Sequence, residues 1–303
     1  MEVSEMARLV QEFIAGSDPV RSISVSGNGQ RMASTTGRMT DGVRFWNVQS
    51  GGLLHTFSPV DDQDEISGVA LSPEGFFLAA ATHHYLLLWD IEAGRQIGTV
   101  ETPFGGTSVV FSRDGSFILF THGHRYSRFD TALALKMEHD LQSGPISSPS
   151  LSAGGRFAAS IHEPGQPNII VYDLLNDRAA LKTSQTGVYS AVAMGPDDGV
   201  VLTGNIHGKL ETLNAQTGDS IRKFDLPGHS RNVTSVVFSP DGSLALSGSE
   251  DFSAKLWDVN TGRELDTLDH GHGFVSCVAF LPNGKLALTG GHDNKVKLWE
   301  LAP

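Results

Sequence analysis

The chain has 303 residues, 39% hydrophobic and 18% charged, the make-up of a folded protein rather than a disordered one. Thirty-four acidic residues against 22 basic ones give a net charge of −12, and no basic face is visible that would hold nucleic acid. No apolar run approaches the roughly 18 residues of a membrane span, acids stand where a signal peptide carries basic residues, and the lone Cys277 allows no internal disulfide. The expected setting is therefore reducing and cytoplasmic, or nuclear in a eukaryotic cell, with no contact to membrane.

In chain order the same unit recurs. Tight turns stand at 26–29 (SGNG), 72–75 (SPEG), 112–115 (SRDG), 152–155 (SAGG), 195–198 (GPDD), 239–242 (SPDG) and 281–284 (LPNG). In them Pro fixes φ at the second position and Gly supplies a positive φ, which reverses a chain between two strands. Apolar or β-branched runs such as VTSVVF and LALSG flank each turn, so each reads as a hairpin.

A second marker follows each hairpin: Trp46-Asn47, Trp89-Asp90, Phe129-Asp130, Tyr172-Asp173, Leu213-Asn214, Trp257-Asp258 and Trp299-Glu300, at spacings of 43, 40, 43, 41, 44 and 42. Five residues beyond four of these slots stand Gly51, Gly94, Gly218 and Gly262, which mark a second recurrent turn. The last unit stops at VKLWELAP without the strand that follows in earlier copies. The segment before the first turn aligns with the one before the seventh: Arg8 with Arg263, Phe13 with Leu268, Val20 with Val275. Residues from about 8 to 14 are thus expected to supply the missing strand. The competing reading is a short amphipathic helix with Val3, Met6, Val10 and Phe13 on one face.

A period near 42 with a terminal Trp-Asp resembles the WD-repeat (Trp-Asp repeat) family of β-propellers. The resemblance covers essentially the whole chain. It is strongest at 229–303 and in the Trp46 and Trp89 units, and weaker between about 100 and 215, where Phe129, Tyr172 and Leu213 fill the Trp slots. It implies an all-β fold over residues 1–303: a single seven-bladed β-propeller of four-stranded antiparallel blades, its ring closed by the N-terminal strand in the last blade.

The resemblance also implies a structural chain from indole to hydroxyl to imidazole to carboxylate. In the sixth unit its members are Trp257, Ser247, His229 and Asp251. In the seventh they are Trp299, Thr289, His272 and Asp293, with His270 as the alternative histidine because DHGHGF does not align cleanly. Ser, His and Asp also compose a hydrolase triad, but a set repeated in two units fits buried groups satisfying one another better than an active site. The first unit has Ser34, Asp41 and Trp46 without a histidine, and the second has His83 and His84 without a serine. Those units are expected to be held mainly by packing.

Ten of the twelve histidines fall in connections that a propeller gathers on one rim: His83, His84, His122, His124, His162, His207 and His292 between strands b and c, and His229, His270 and His272 between d and a. Candidate partner-binding residues on this rim are His83, His84, His122, His124, His162, His207 and His292, with Arg38, Asp61, Asp62, Phe104 and Phe274. Asp61 and Asp62 belong to the acidic loop SPVDDQDE at 58–65. The loop HEPGQPN at 162–168 is stiffened by two prolines. No His-x-x-x-His or Cys/His spacing points to a metal, and no cofactor is expected.

The function expected from this resemblance is a non-enzymatic scaffold that docks a protein or peptide on the b–c and d–a face, alone or as a subunit of a larger assembly. The alternative is a propeller enzyme, or a cofactor- or metal-binding propeller with its site at the channel mouth. That chemistry needs polar groups converging from several first strands, and runs such as GVALS, SVVFS and CVAFL offer only Cys277 as an ionisable group.

Overall fold

A computed structural model describes residues 6–37, 41–58, 64–141, 146–162, 169–182, 189–224 and 228–302. The described residues form seven four-stranded antiparallel sheets, a β-propeller in which strand a of each blade faces the central channel and strand d lies outermost. Blade 6 is typical: strands Val233–Phe238, Leu244–Ser249, Ser253–Asp258 and Glu264–Asp269, in that order. The turn joining its first two strands closes on Asp241, whose Oδ1 accepts from Ser239 Oγ, Ser243 N and Ser243 Oγ at 2.6, 3.0 and 2.8 Å. Gly242 follows at φ 75°, the left-handed conformation that a glycine adopts without steric cost.

Blade 7 takes its outer strand from the N-terminus. Ala7–Ile14 pairs antiparallel with Lys295–Leu301, with Ala7 opposite Leu301 and Phe13 opposite Val296. A bulge between Leu9 and Gln11 leaves Val10 48% exposed, which breaks the apolar face a helix would have used. Ion pairs reinforce the closure: Arg8 to Glu300 and Glu12 to Lys295, both at 2.6 Å. Both lie at the surface, where such pairs contribute little, so pairing and burial decide the conformation.

The core is distributed over the seams between neighbouring blades. At the seam of blades 7 and 1, Phe13, Val20, Leu288 and Val296 pack on Met32 and Trp46. At the seam of blades 1 and 2, Phe45 and Phe57 pack on Leu78, Leu87 and Trp89. Each blade thus buries its apolar residues only against its neighbours, and the ring has to close for all of them to be covered.

A girdle of hydroxyls ties the first strands together. Ser67 Oγ donates to the Gly106 carbonyl at 2.8 Å, Ser190 Oγ to Val233 at 2.7 Å, Thr234 to Val275, and Ser276 to Val20. Val69 N and Met194 N donate the other way, to Ser22 Oγ and Ser150 Oγ. Each hydroxyl satisfies a backbone group of the next blade, where strand a has no ladder partner on the channel side.

Candidate functional site: the b–c and d–a rim

Chain direction alternates within each blade, so the b–c and d–a connections all emerge on one rim. Polar chains rooted in the sheets support it. In blade 6, Trp257 Nε1 donates to Ser247 Oγ at 2.8 Å, Ser247 Oγ lies 2.7 Å from His229 Nε2, and His229 Nδ1 lies 2.9 Å from Asp251 Oδ2. Indole can only donate and carboxylate can only accept, so the proton sits on Nδ1 and Ser247 donates to Nε2. Burial pushes the Asp251 carboxyl up, but hydrogen bonds from His229 and Ser253 outweigh it and hold the group well below the usual carboxylate range.

Blade 7 repeats the chain with a correction. Trp299 Nε1 donates to Thr289 Oγ1 at 2.9 Å, and the ring on that hydroxyl belongs to His270, whose Nε2 lies 2.8 Å away. His270 Nδ1 lies 3.3 Å from Asp293, and His272 points to solvent. His229 precedes the first residue of its strand a by four positions, whereas His270 and His272 precede Val275 by five and three, so spacing ties the two. Position at the end of strand d settles it: the His270 amide is held by the Phe252 carbonyl, which turns the ring inward.

The other described blades are not held by packing alone. In blade 1, Trp46 Nε1 donates to Ser34 Oγ, and Asp41 accepts from Ser17 N and Thr36 Oγ1 in place of a histidine. In blade 2 the roles reverse. A carboxylate from the d–a connection, Asp64, accepts from Thr82 Oγ1 at 2.5 Å and from the His83 and His84 amides at 3.1 and 2.8 Å. In blades 3 and 4 the histidine comes from the end of strand b: His122 Nε2 on Ser127 Oγ at 2.8 Å, and His162 Nε2 on Ser160 Oγ at 3.0 Å.

The histidine rim therefore divides. His122, His162, His229 and His270 are buried and occupied within the fold, which corrects the reading of His122 and His162 as partner contacts. Burial pulls the His122 imidazole below its ordinary pKa. His83, His84, His207, His272 and His292 are exposed and His124 is half-exposed. Arg38, Asp61, Asp62 and most of the proline loop at 162–168 lie outside the described residues.

Phe104 is 43% exposed, with the Arg125 guanidinium 4.7 Å from its ring centre and His124 at 5.6 Å. Arg125 is itself held by Glu138 at 2.9 Å. Phe274 stacks on Phe252 at 5.3 Å and meets His292 at 5.2 Å. Arg125 and Phe252 escaped the sequence reading because neither is among the Trp, turn or histidine markers by which the repeat was followed. The strand-a hydroxyls could have been found, since Ser67, Thr107, Ser190, Thr234 and Ser276 share one position.

The channel encloses about 480 Å³ and is walled by strand-a residues of all seven blades. Its described titratable groups are Arg21 at one end and Cys277, whose thiol is pushed up to about 12 by desolvation. Among the described residues no group of three or more His, Cys, Asp or Glu side chains is placed to hold a metal.

A seven-bladed ring with an indole–hydroxyl–imidazole–carboxylate chain repeated in two blades defines a WD-type propeller. The family model described as "WD domain, G-beta repeat" matches residues 218–258 and 262–300, and this match supports a WD-repeat β-propeller. Telomerase protein component 1 of Rattus norvegicus is 26% identical over 254 residues, covering 79% of this chain and 9% of that protein. Eukaryotic translation initiation factor 3 subunit I of Brugia malayi is 27% identical over 192 residues, 63% of this chain and 49% of that protein. WD repeat-containing protein SL1-17 of Schistosoma mansoni is 25% identical over 238 residues, 78% and 64% of the two chains. The match thus spans less than two thirds of each of these relatives. Propellers of this family generally act as protein-interaction scaffolds and are typically non-enzymatic.

Proposed function

We propose that the protein is a non-enzymatic scaffold that docks a protein or peptide partner on the b–c and d–a rim. The observation that carries this reading is Phe104, a large apolar ring left 43% exposed and clamped by Arg125 and His124 in a rigid setting. Aromatic rings and arginines so placed are the residues that dominate binding energy at interfaces. The opposite rim supports the same reading by contrast. Its turns use their polar side chains on themselves, as Asp241 does on Ser239 and Ser243, and as Asp114 does on Ser112 and Ser116. The names of two relatives, a telomerase component and a translation initiation factor subunit, make them parts of larger assemblies, and a role as one subunit among several is proposed here by likeness.

The test compares two variant sets for retention of a partner captured with the purified chain. One replaces His83, His84 and Phe104 with Ala; the other replaces Glu74, Arg113 and Lys285 in the a–b turns. Loss of at least about tenfold in affinity, about 1.4 kcal/mol, is expected for the first set only. Binding that survives the first set and fails with the second places the working face on the other side of the ring.

A further inference from the structure

Phe252 sits at φ 71° in the b–c turn of blade 6. The same turn position holds Gly208 in blade 5 and Asn294 in blade 7, at φ 77° and 64°. Glycine and asparagine are the residues that tolerate this left-handed conformation, whereas a bulky side chain there is an outlier. The strain is held in place from both sides. The Phe252 carbonyl accepts from His270 N at 2.9 Å, and the Phe274 carbonyl accepts from His292 N at 2.8 Å. The two rings lie nearly parallel, with centres 5.3 Å apart and planes 16° apart, and both remain half-buried at the rim. A strained aromatic that the surrounding backbone fixes at the surface is a reason to look for a ligand.

The charges around the stack indicate which ligand. Arg231 is exposed, its guanidinium 5.8 Å from the Phe252 ring centre, and among the described residues no carboxylate pairs with it. The acids of the neighbouring connections are all occupied. Glu250 accepts from Asn232 Nδ2, Asp251 from His229 and Ser230, Asp269 from Gly271 N, and Asp293 from Lys295 N. On a chain of net charge −12 this leaves a cation without a partner beside an aromatic platform. We propose that Arg231, Phe252 and Phe274 form a docking site for an acidic peptide segment carrying an aromatic side chain: the carboxylate pairs with Arg231 and the partner ring packs on the Phe252–Phe274 stack. This rests on the proposed rim-docking function and names the chemistry of its partner in blades 6 and 7.

The test selects a displayed library of short random peptides on the full chain, then measures one selected peptide against Phe252→Asn and Arg231→Gln. Peptides enriched in Asp or Glu beside an aromatic residue are expected, with affinity falling at least about tenfold in each variant. Because Asn suits the left-handed position, the thermal midpoint of Phe252→Asn should stay within about 3 °C of the parent or rise. Arg231→Gln provides a second arm in which no packed ring is touched. Selection of basic or charge-neutral peptides overturns the proposal, and so does a selected acidic peptide that binds Phe252→Asn as tightly as the parent. A partner that is lost with Phe104→Ala but kept with both blade 6 variants removes this site and leaves the rim-docking reading standing.

Discussion

Phe13 meets Trp46 edge-on, ring centres 5.6 Å apart and planes at 74°, and Phe224 meets Trp257 at the same distance and the same angle. Phe224 follows strand d of blade 5 and packs on the Trp of blade 6. Phe13 lies on strand d of blade 7 and packs on the Trp of blade 1, 33 positions further along the chain as Trp257 is from Phe224, although its own blade begins at Val275. The N-terminal strand therefore reproduces a seam that elsewhere forms between consecutive blades. Closing the ring by a segment from the far end of the chain ties first and last blades together, so that neither can separate without losing a shared sheet.

This equivalence predicts equal costs. Phe13→Ala and Phe224→Ala should each lower unfolding free energy by about 3–5 kcal/mol, the range for a large buried aromatic. Urea denaturation of the two variants checks it. Deleting residues 1–16 should cost more, because it also strips the ladder from strand Lys295–Leu301 and leaves an open edge that promotes aggregation. A truncated chain that melts with the parent would refute closure by the N-terminus.

The histidine assignment in blade 7 gives a sharper contrast. His270→Ala leaves Thr289 and Asp293 without their ring and should destabilise by about 1–3 kcal/mol. His272→Ala touches an exposed loop and should fall within about 0.5 kcal/mol of the parent. Thermal melts of the two variants side by side decide between them.

Acid should dissolve these chains in a defined window. Asp293 is held at about 2, against burial, by the His270 imidazole 3.3 Å away and by the Lys295 amide, and Asp251 is likewise held low in blade 6. Asp114 and Asp241, each hydrogen-bonded by serines in its own turn, also lie at about 2. Each folded value lies below the unfolded one of about 3.9, so the unfolded chain binds protons first as pH falls. The stabilisation is present in full above about pH 5 and is lost as pH drops toward about 2. Denaturant midpoints measured from pH 6 to pH 2.5 should fall, and Asp251→Asn with Asp293→Asn should start lower and fall less.

The girdle makes a fourth prediction. Ser190→Ala removes the donor to the Val233 carbonyl in the next blade and should cost about 1 kcal/mol. Thr217, whose hydroxyl bonds Asp219 at the surface, should be nearly silent as Ala. Chemical denaturation resolves the difference if both variants retain the parent slope.

The period of the chain was readable because a blade is a local object. Its turns need Pro, Gly and Asp at fixed offsets, and its Trp must end strand c, so residues close in sequence suffice to specify it. The polar chain of blade 6 was legible through the resemblance to WD repeats, because His229, Ser247, Asp251 and Trp257 stand at the positions that carry it in that family. The missing strand was legible too, because the segment before the first turn aligns with the one before the seventh and the last blade was one strand short. Other features were decided only when distant segments met. Which of His270 and His272 turns inward depends on the Phe252 carbonyl across the blade. Whether His122 reaches solvent depends on Phe104, which the preceding connection stacks on it with ring centres 6.3 Å apart. The strain at Phe252 arises from a backbone conformation that composition does not encode, and its meaning comes from Phe274 and Arg231, which two other connections bring beside it. Local chemistry is written along the chain; burial and the pairing of surface groups are properties of the closed ring, because each is set by what the neighbouring blade leaves uncovered.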